Sequence, residues 1–263
     1  MKSLEIMLII ILTSFFTLNI SQAQNIKNTK VLFIGNSLTY YNDVPSMVSA
    51  LYFALDHSND IKTELIASGG ISLEQHLTKP LVLDVIKNSK YHIVILQDFG
   101  GWPLCYTGIS ACSKTSEPLE ILINAIRYAK ARPIWYSTYQ ADSKFQISLS
   151  QAAELIATRL NVEMADVGFS LQKFIKSNKD IVPFESDGHL NEVGSWIAAA
   201  TIVRTIIGHN IPENLILELV CLNQWKGTNL QADKLASEQK SKSKNCKYID
   251  KKILKNIITA INN

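Results

Sequence analysis

Two periodicities alternate along the chain. Short runs rich in Val, Ile and Leu recur at Val31–Ile34, Lys62–Ile66, His92–Leu96, Pro133–Ser137 and Val162–Ala165. The first and third are apolar almost throughout, as strands covered on both faces must be. The segments Val44–Leu55, Leu119–Ala131, Leu149–Leu160 and Ile197–Ile207 instead carry apolar residues at the three- and four-residue spacing of a helix. Such alternation predicts βαβ units and a parallel sheet. Five strands with intervening helices fit the α/β class, as a three-layer α/β/α sandwich around a five-stranded parallel sheet of the flavodoxin-like kind. A further amphipathic pattern over Ile249–Ile261 predicts a helix that closes one layer. The Lys- and Ser-rich stretch 228–248, densest at 237–247, reads as a solvated loop or hairpin excursion.

Residues 1–23 stand apart from this alternation. Lys2 supplies a positive start, Ile6–Phe16 is an apolar run broken only by Thr13 and Ser14, and Ser21-Gln22-Ala23 offers small residues for cleavage before Gln24. That combination predicts a signal peptide. A membrane anchor is the alternative, but the run is short against roughly 30 Å of hydrocarbon. The expected product is secreted or periplasmic, without stable membrane insertion after cleavage. Residues 24–263 would then form one domain, which their number permits.

Composition narrows the partners. Apolar residues make up 47% of the chain, enough for a sizeable core, and the formal net charge is only +3. A nucleic-acid partner would need a dense basic face, so none is expected. Export turns the four cysteines into disulfide candidates, since an even count in an oxidising compartment favours pairing. Sequence-local pairs, Cys105–Cys112 and Cys221–Cys246, are the expected connectivity, with four buried thiols as the alternative. No CxxC or His/Cys cluster with zinc spacing occurs, so no metal is expected.

In an open parallel sheet ligands bind beyond the carboxyl ends of the strands. That rule selects Gly35-Asn36-Ser37, Ser68-Gly69-Gly70 and Gln97-Asp98, together with Asp187-Gly188-His189 just ahead of a helical pattern. A serine between a buried strand and a helix puts its hydroxyl among outward-pointing N–H groups, which suits a nucleophile and an oxyanion. It equally suits a plain helix cap. His189 lies two residues after Asp187, which can orient an imidazole and stabilise its charged form; an ordinary capping turn is the alternative. Gly70 lets backbone approach a reacting carbonyl closely, and Gln97 offers an amide donor. Taken singly, a Gly-Gly pair is most often a turn and such a Gln is most often solvated.

The order of these segments carries more than any one of them. Gly35-Asn36-Ser37-Leu38-Thr39, Gly69-Gly70-Ile71-Ser72-Leu73-Glu74-Gln75-His76, Leu96-Gln97-Asp98 and His189-Leu190-Asn191-Glu192-Val193-Gly194 follow one another. The series resembles the blocks of SGNH (GDSL-like) hydrolases, in a bacterial secreted branch with a Gly-Asn-Ser first block, over about residues 30–212. The resemblance implies Ser37 as nucleophile, His189 as base and Asp187 as third member. It implies an oxyanion hole of the Ser37 and Gly70 N–H groups and the Gln97 side chain, and no cofactor. The substrate would be a small-molecule or polysaccharide ester, with acetylated carbohydrate ahead of other esters. Asn36, Phe99 and Trp102 are the expected substrate rim, although Trp102 can equally pack over a sheet edge. His76 matches the branch motif and would hydrogen-bond beneath the site.

Two departures qualify these expectations. The family's last block has Asp three residues before His, where this chain has Ser186. Asp187 must then reach through a tighter turn, or Glu185 serves, or the pair works as a dyad. Gln97 is one methylene longer than the family's Asn. Two other functions stay open: a lysophospholipase- or thioesterase-type acyl hydrolase, and a catalytically silent relative that binds glycans.

Overall fold

The computed structural model describes residues 28–106 and 116–263. The signal peptide expected at 1–23 and the pairing expected for Cys105–Cys112 fall outside them. In chain order the elements are β1 (Thr29–Gly35), α1 (Ser37–Tyr40), α2 (Val44–Leu55), β2 (Ile61–Ala67), α3 (Leu73–Leu77), α4 (Pro80–Asn88), β3 (Ile93–Gln97), α5 (Trp102–Tyr106), α6 (Ser116–Tyr128), β4 (Arg132–Ser137), α7 (Ser143–Leu160), β5 (Glu163–Asp166), α8 (Val167–Ser177), α9 (Glu192–Ile207), β6 (Val220–Asn223), β7 (Lys244–Lys247) and α10 (Lys251–Asn262).

Strands β1 to β5 form one parallel sheet in the order β2-β1-β3-β4-β5, the doubly wound arrangement expected. The alternation of side chains across the pleat divides the apolar residues between two layers. Val31 and Phe33 pack with α2, α8, α9 and α10, while Leu32 and Ile34 pack with α4, α6 and α7. All four side chains are fully buried, which explains why β1 shows no polar alternation. Helices α4 and α8 were not among the predicted segments. Their patterns are nonetheless regular: Val82, Val85 and Ile86 in α4, and Val167, Leu171 and Phe174 in α8, are the buried faces.

Pairing register aligns the carboxyl ends of the strands. Gly35 lies beside Ala67, Gln97 beside Tyr136, and Ser137 beside Asp166. β1 and β3 are neighbours in the sheet, so the loops that leave them open the crevice at the point where strand order reverses. Ser37 and Gln97 both lie there.

The Lys-rich excursion is anchored rather than wholly solvated. β6 and β7 pair antiparallel with Cys221 opposite Cys246, and a disulfide joins the two as expected. Between them Trp225, Leu230, Ala232 and Ala236 are buried, while the lysines stay outside. The Ser237 N–H and hydroxyl bond to Glu64 on β2, and buried Asp43, ahead of α2, accepts the Asn223 backbone N–H at 2.7 Å and its side-chain amide at 2.8 Å. The excursion therefore lies along β2, an edge strand of the sheet, and covers it. Among the described residues no helix is long and apolar enough to cross a membrane.

Candidate active site

The turn after β1 is fixed from below. Gly35 leaves no room for a side chain: a Cβ there would stand 2.6 Å from Gln97 Oε1 and 2.9 Å from Thr39 Oγ1. Gln97 Oε1 accepts the Asn36 backbone N–H at 2.9 Å and the Thr39 hydroxyl at 2.8 Å, and its Nε2 donates to the Asp98 carbonyl. The Gln97 side chain is thus buried beneath the turn with both ends engaged, which corrects its expected place in an oxyanion hole. Both ends of the amide are spent on bonds that hold the turn, to Asn36 and Thr39 on one side and to the Asp98 carbonyl on the other. Asn36 is also corrected: it is 2% exposed and not a rim residue. Its Oδ1 caps α1 by accepting the Leu38 N–H at 3.0 Å, and its Nδ2 donates to Ile71 O at 3.0 Å. None of these bonds uses the N–H of Ser37.

Ile71 and its neighbours form the loop that carries Gly70, whose φ of +64° favours glycine. Buried Asp98 holds this loop by accepting the Leu73 N–H at 3.0 Å and the Phe99 N–H at 2.7 Å. Burial pushes the Asp98 carboxyl up to about 6, against the pull of those two N–H groups. His76 sits fully buried under the same turn, with Nε2 2.8 Å from Gly35 O. Burial pushes its imidazole down to about 4, so at neutral pH it is uncharged and donates to that carbonyl.

The segment after α8 brings His189 to the turn. The Glu185 N–H bonds to His189 O at 2.8 Å and the Gly188 N–H to Glu185 O at 3.1 Å, closing a tight hairpin at Gly188 (φ +85°). Asn42 donates to Leu190 O at 2.7 Å and to Ser195 Oγ at 2.9 Å, and the Tyr139 hydroxyl accepts the Leu190 N–H at 3.2 Å. These bonds set His189 Nε2 2.9 Å from Ser37 Oγ across 152 residues of chain.

The tight hairpin also answers the two-residue spacing. Asp187 Oδ1 reaches 3.2 Å from His189 Nδ1, yet the same oxygen accepts the His189 backbone N–H at 3.1 Å. The approach to Nδ1 is therefore bent away from hydrogen-bond alignment. The His189 backbone N–H, more than the imidazole, holds the Asp187 carboxyl below the usual carboxylate range. Glu185 turns away to Lys226 at 3.7 Å. Tyr41, which the sequence reading did not single out, stacks on the imidazole with ring centroids 4.1 Å apart and planes 16° apart. Its hydroxyl donates to Asp187 Oδ2 at 3.3 Å. The signal was its position four residues past Ser37, one helical turn on.

Of the expected aromatic rim, Phe99 is exposed, and its ring is 5.8 Å from that of Trp102. Trp102 is half-buried and borders a small cleft with Asp98, Pro103, Leu119, Trp135 and Ile156. Among the described residues no group of three or more His, Cys, Asp or Glu converges as metal ligands.

No protein-family model matches the chain. No curated protein matches it either. Solved structures do. An acetylxylan esterase from Geobacillus stearothermophilus aligns at 17% identity over 68% of this chain and 94% of its own, with a TM-score of 0.53. A catalytic mutant of an acetylxylan esterase from the same organism aligns at 16% over 70% and 96%, with a TM-score of 0.55. The fold is shared with these esterases. An alpha/beta hydrolase enzyme from the metagenome of Lake Arreo, Spain, aligns at 13% over 69% and 97%, with a TM-score of 0.54. Catalytic mutants of the Geobacillus enzyme carry substitutions at an aspartate, a histidine and a serine. About three tenths of this chain lies outside each match.

Proposed function

We propose that this chain is a serine carboxylic ester hydrolase that removes acetyl groups from carbohydrate, exported by a signal peptide at 1–23 and folded as one domain over 24–263. The observation that carries the reading is the 2.9 Å contact between Ser37 Oγ and His189 Nε2 at the crevice of the parallel sheet. A hydroxyl is a poor nucleophile until a base takes its proton, and an imidazole at hydrogen-bond distance supplies that base.

In the first half-reaction Ser37 Oγ bonds to the acetyl carbon while His189 Nε2 takes its proton. The Ser37 and Gly70 N–H groups hold the developing oxyanion. The ester C–O bond breaks, and His189 returns the proton to the departing sugar oxygen. Water then attacks the acetyl-enzyme, His189 takes its proton, and acetate leaves as Ser37 regains its hydrogen. Asp187 opposes the positive charge on His189 from 3.2 Å. Gln97, Asn36 and His76 do not touch the reacting atoms; they hold the turn in shape. Acetylated carbohydrate is favoured as substrate by the likeness of fold to acetylxylan esterases, and exposed Phe99 suits a sugar face.

The test compares the wild type with Ser37→Ala on an activated acetyl ester and on acetylated xylan, by acetate release. The expected outcome is turnover by the wild type on both and a loss of about 10⁴-fold or more in Ser37→Ala. A folded wild type no faster than Ser37→Ala would overturn the hydrolase reading; activity on the activated ester alone would overturn the carbohydrate.

A further inference from the structure

A histidine base works only if its ring is held in one plane, because rotation about the ring bond swings Nε2 off the serine. In this site the acid does little of that holding. Asp187 is half exposed, its contact with Nδ1 is bent, and its Oδ1 is shared with a backbone N–H. Another group lies flat against the imidazole: the Tyr41 ring, 4.1 Å away and within 16° of parallel.

Tyr41 is itself fixed from three directions. Its N–H bonds to Ser37 O at 3.1 Å, so the serine and the tyrosine ride on the same turn. Its hydroxyl bonds to Asp187, and partial burial together with the Asp187 charge keeps that phenol protonated as a donor. Lys226 Nζ lies over its ring, 5.1 Å from the centre, and pairs with Glu185 in the His189 hairpin. We propose that Tyr41 is the positioning residue for His189, holding the imidazole plane by stacking where other triads rely on an aligned acid. This rests on the reading of Ser37 and His189 as nucleophile and base and deepens it. An aromatic face is also a favourable neighbour for the imidazolium that forms when Ser37 loses its proton. Lys226 lies in the segment between β6 and β7, so that segment reaches the proposed chemistry through the tyrosine.

The test measures two rates on the full folded chain and on Tyr41→Phe and Tyr41→Leu, with Tyr41→Met replacing Leu if that variant fails to fold. One is kcat and KM on an activated acetyl ester. The other is the rate at which a fluorophosphonate labels Ser37, which needs the serine–histidine pair but no particular ester. The expected result for Leu is a fall of about tenfold in kcat and in labelling, the scale of an aromatic pair, with KM little changed. Tyr41→Phe keeps the ring, so it should stay within about threefold of wild type. Wild-type rates in Leu would overturn the proposal, as would a loss in Phe equal to that in Leu, which would give the effect to the hydroxyl alone. A rise in KM at constant kcat would make Tyr41 a substrate contact and overturn it too. If the wild type is labelled but cleaves no acetyl ester, the acetyl reading fails and the labelling rates still decide the tyrosine. If Ser37 is not labelled at all, both readings fall together.

Discussion

Around Ser37 nearly every polar side chain is buried and engaged, whereas His189 and Asp187 sit partly in solvent. Asn36, Thr39, Gln97 and His76 are each no more than 2% exposed. The side chains of His189 and Asp187 are 24% and 50% exposed. Buried hydrogen bonds have no competing water, so the serine turn is held stiffly and each lost partner leaves an unsatisfied group. The histidine hairpin is held by backbone bonds, Asn42, Tyr139 and a ring stack. The difference suits the two roles proposed for them. A nucleophile and its oxyanion donors need fixed positions, while a base must pass through a charged state that nearby water helps to accommodate.

The sharpest way to break this contrast is Gln97→Ala. It strands the Asn36 N–H and the Thr39 hydroxyl in the interior, which should cost about 2–4 kcal/mol in denaturant unfolding. The loosened turn should also lower kcat by about 100-fold, since small misplacements cost that much. An unchanged rate would show that the buried bracing is irrelevant to the site. Asp187→Ala probes the other region and should cost less. We expect a fall in kcat of about tenfold at most, no larger than that of Tyr41→Leu and well short of the ~10⁴-fold lost with a buried orienting acid. A full-sized loss would place the acid, not the stack, in charge of the ring.

The mildest test is Asp98→Asn, whose oxygen can still accept from Leu73 and Phe99. The Asp98 pKa is raised from 3.8 to about 6 in the fold, so the folded chain holds a proton that the unfolded chain has lost. Its contribution is fully present below about pH 4 and is lost as pH rises through 6. Wild-type stability relative to Asp98→Asn should therefore fall by up to about 3 kcal/mol between pH 4 and 7. Urea unfolding of both proteins at the two pH values checks it; parallel stabilities would remove the buried charge from the account.

Much of the sheet was legible because β1 and β3 are buried on both faces and their sequences leave little else to be read. Helix α2 matched its predicted bounds because its apolar spacing ends cleanly at Leu55. Helices α4 and α8 escaped despite regular patterns, α4 because it is short and α8 because it follows β5 without a break. In the site, local spacing pointed to Ser37, His189 and Asp187, and the glycine at 188 explains how a two-residue spacing still brings acid to base. Gln97 and Asn36 were placed on the wrong side of the turn. A sequence shows that an amide is available but not which way it points, and here the burial of the β1–β3 edge decided it. Tyr139 and Asn42 act on a segment more than 50 residues away, a distance that no local pattern encodes.

The cover over β2 has a consequence for how the chain reaches its native state. The bond from Ser237 to Glu64 joins residues 173 positions apart, and contacts so distant form late because the intervening chain must first be ordered. Until then β2 presents an open row of backbone donors and acceptors to any neighbouring chain. The Cys221–Cys246 link shortens that exposure, because it ties the excursion to its own base and leaves a compact flap to dock instead of a loose strand. Refolding under reducing conditions should thus lose more protein to aggregation than to any fault at the serine, and a disulfide far from the Ser37 turn would set the yield of folded protein.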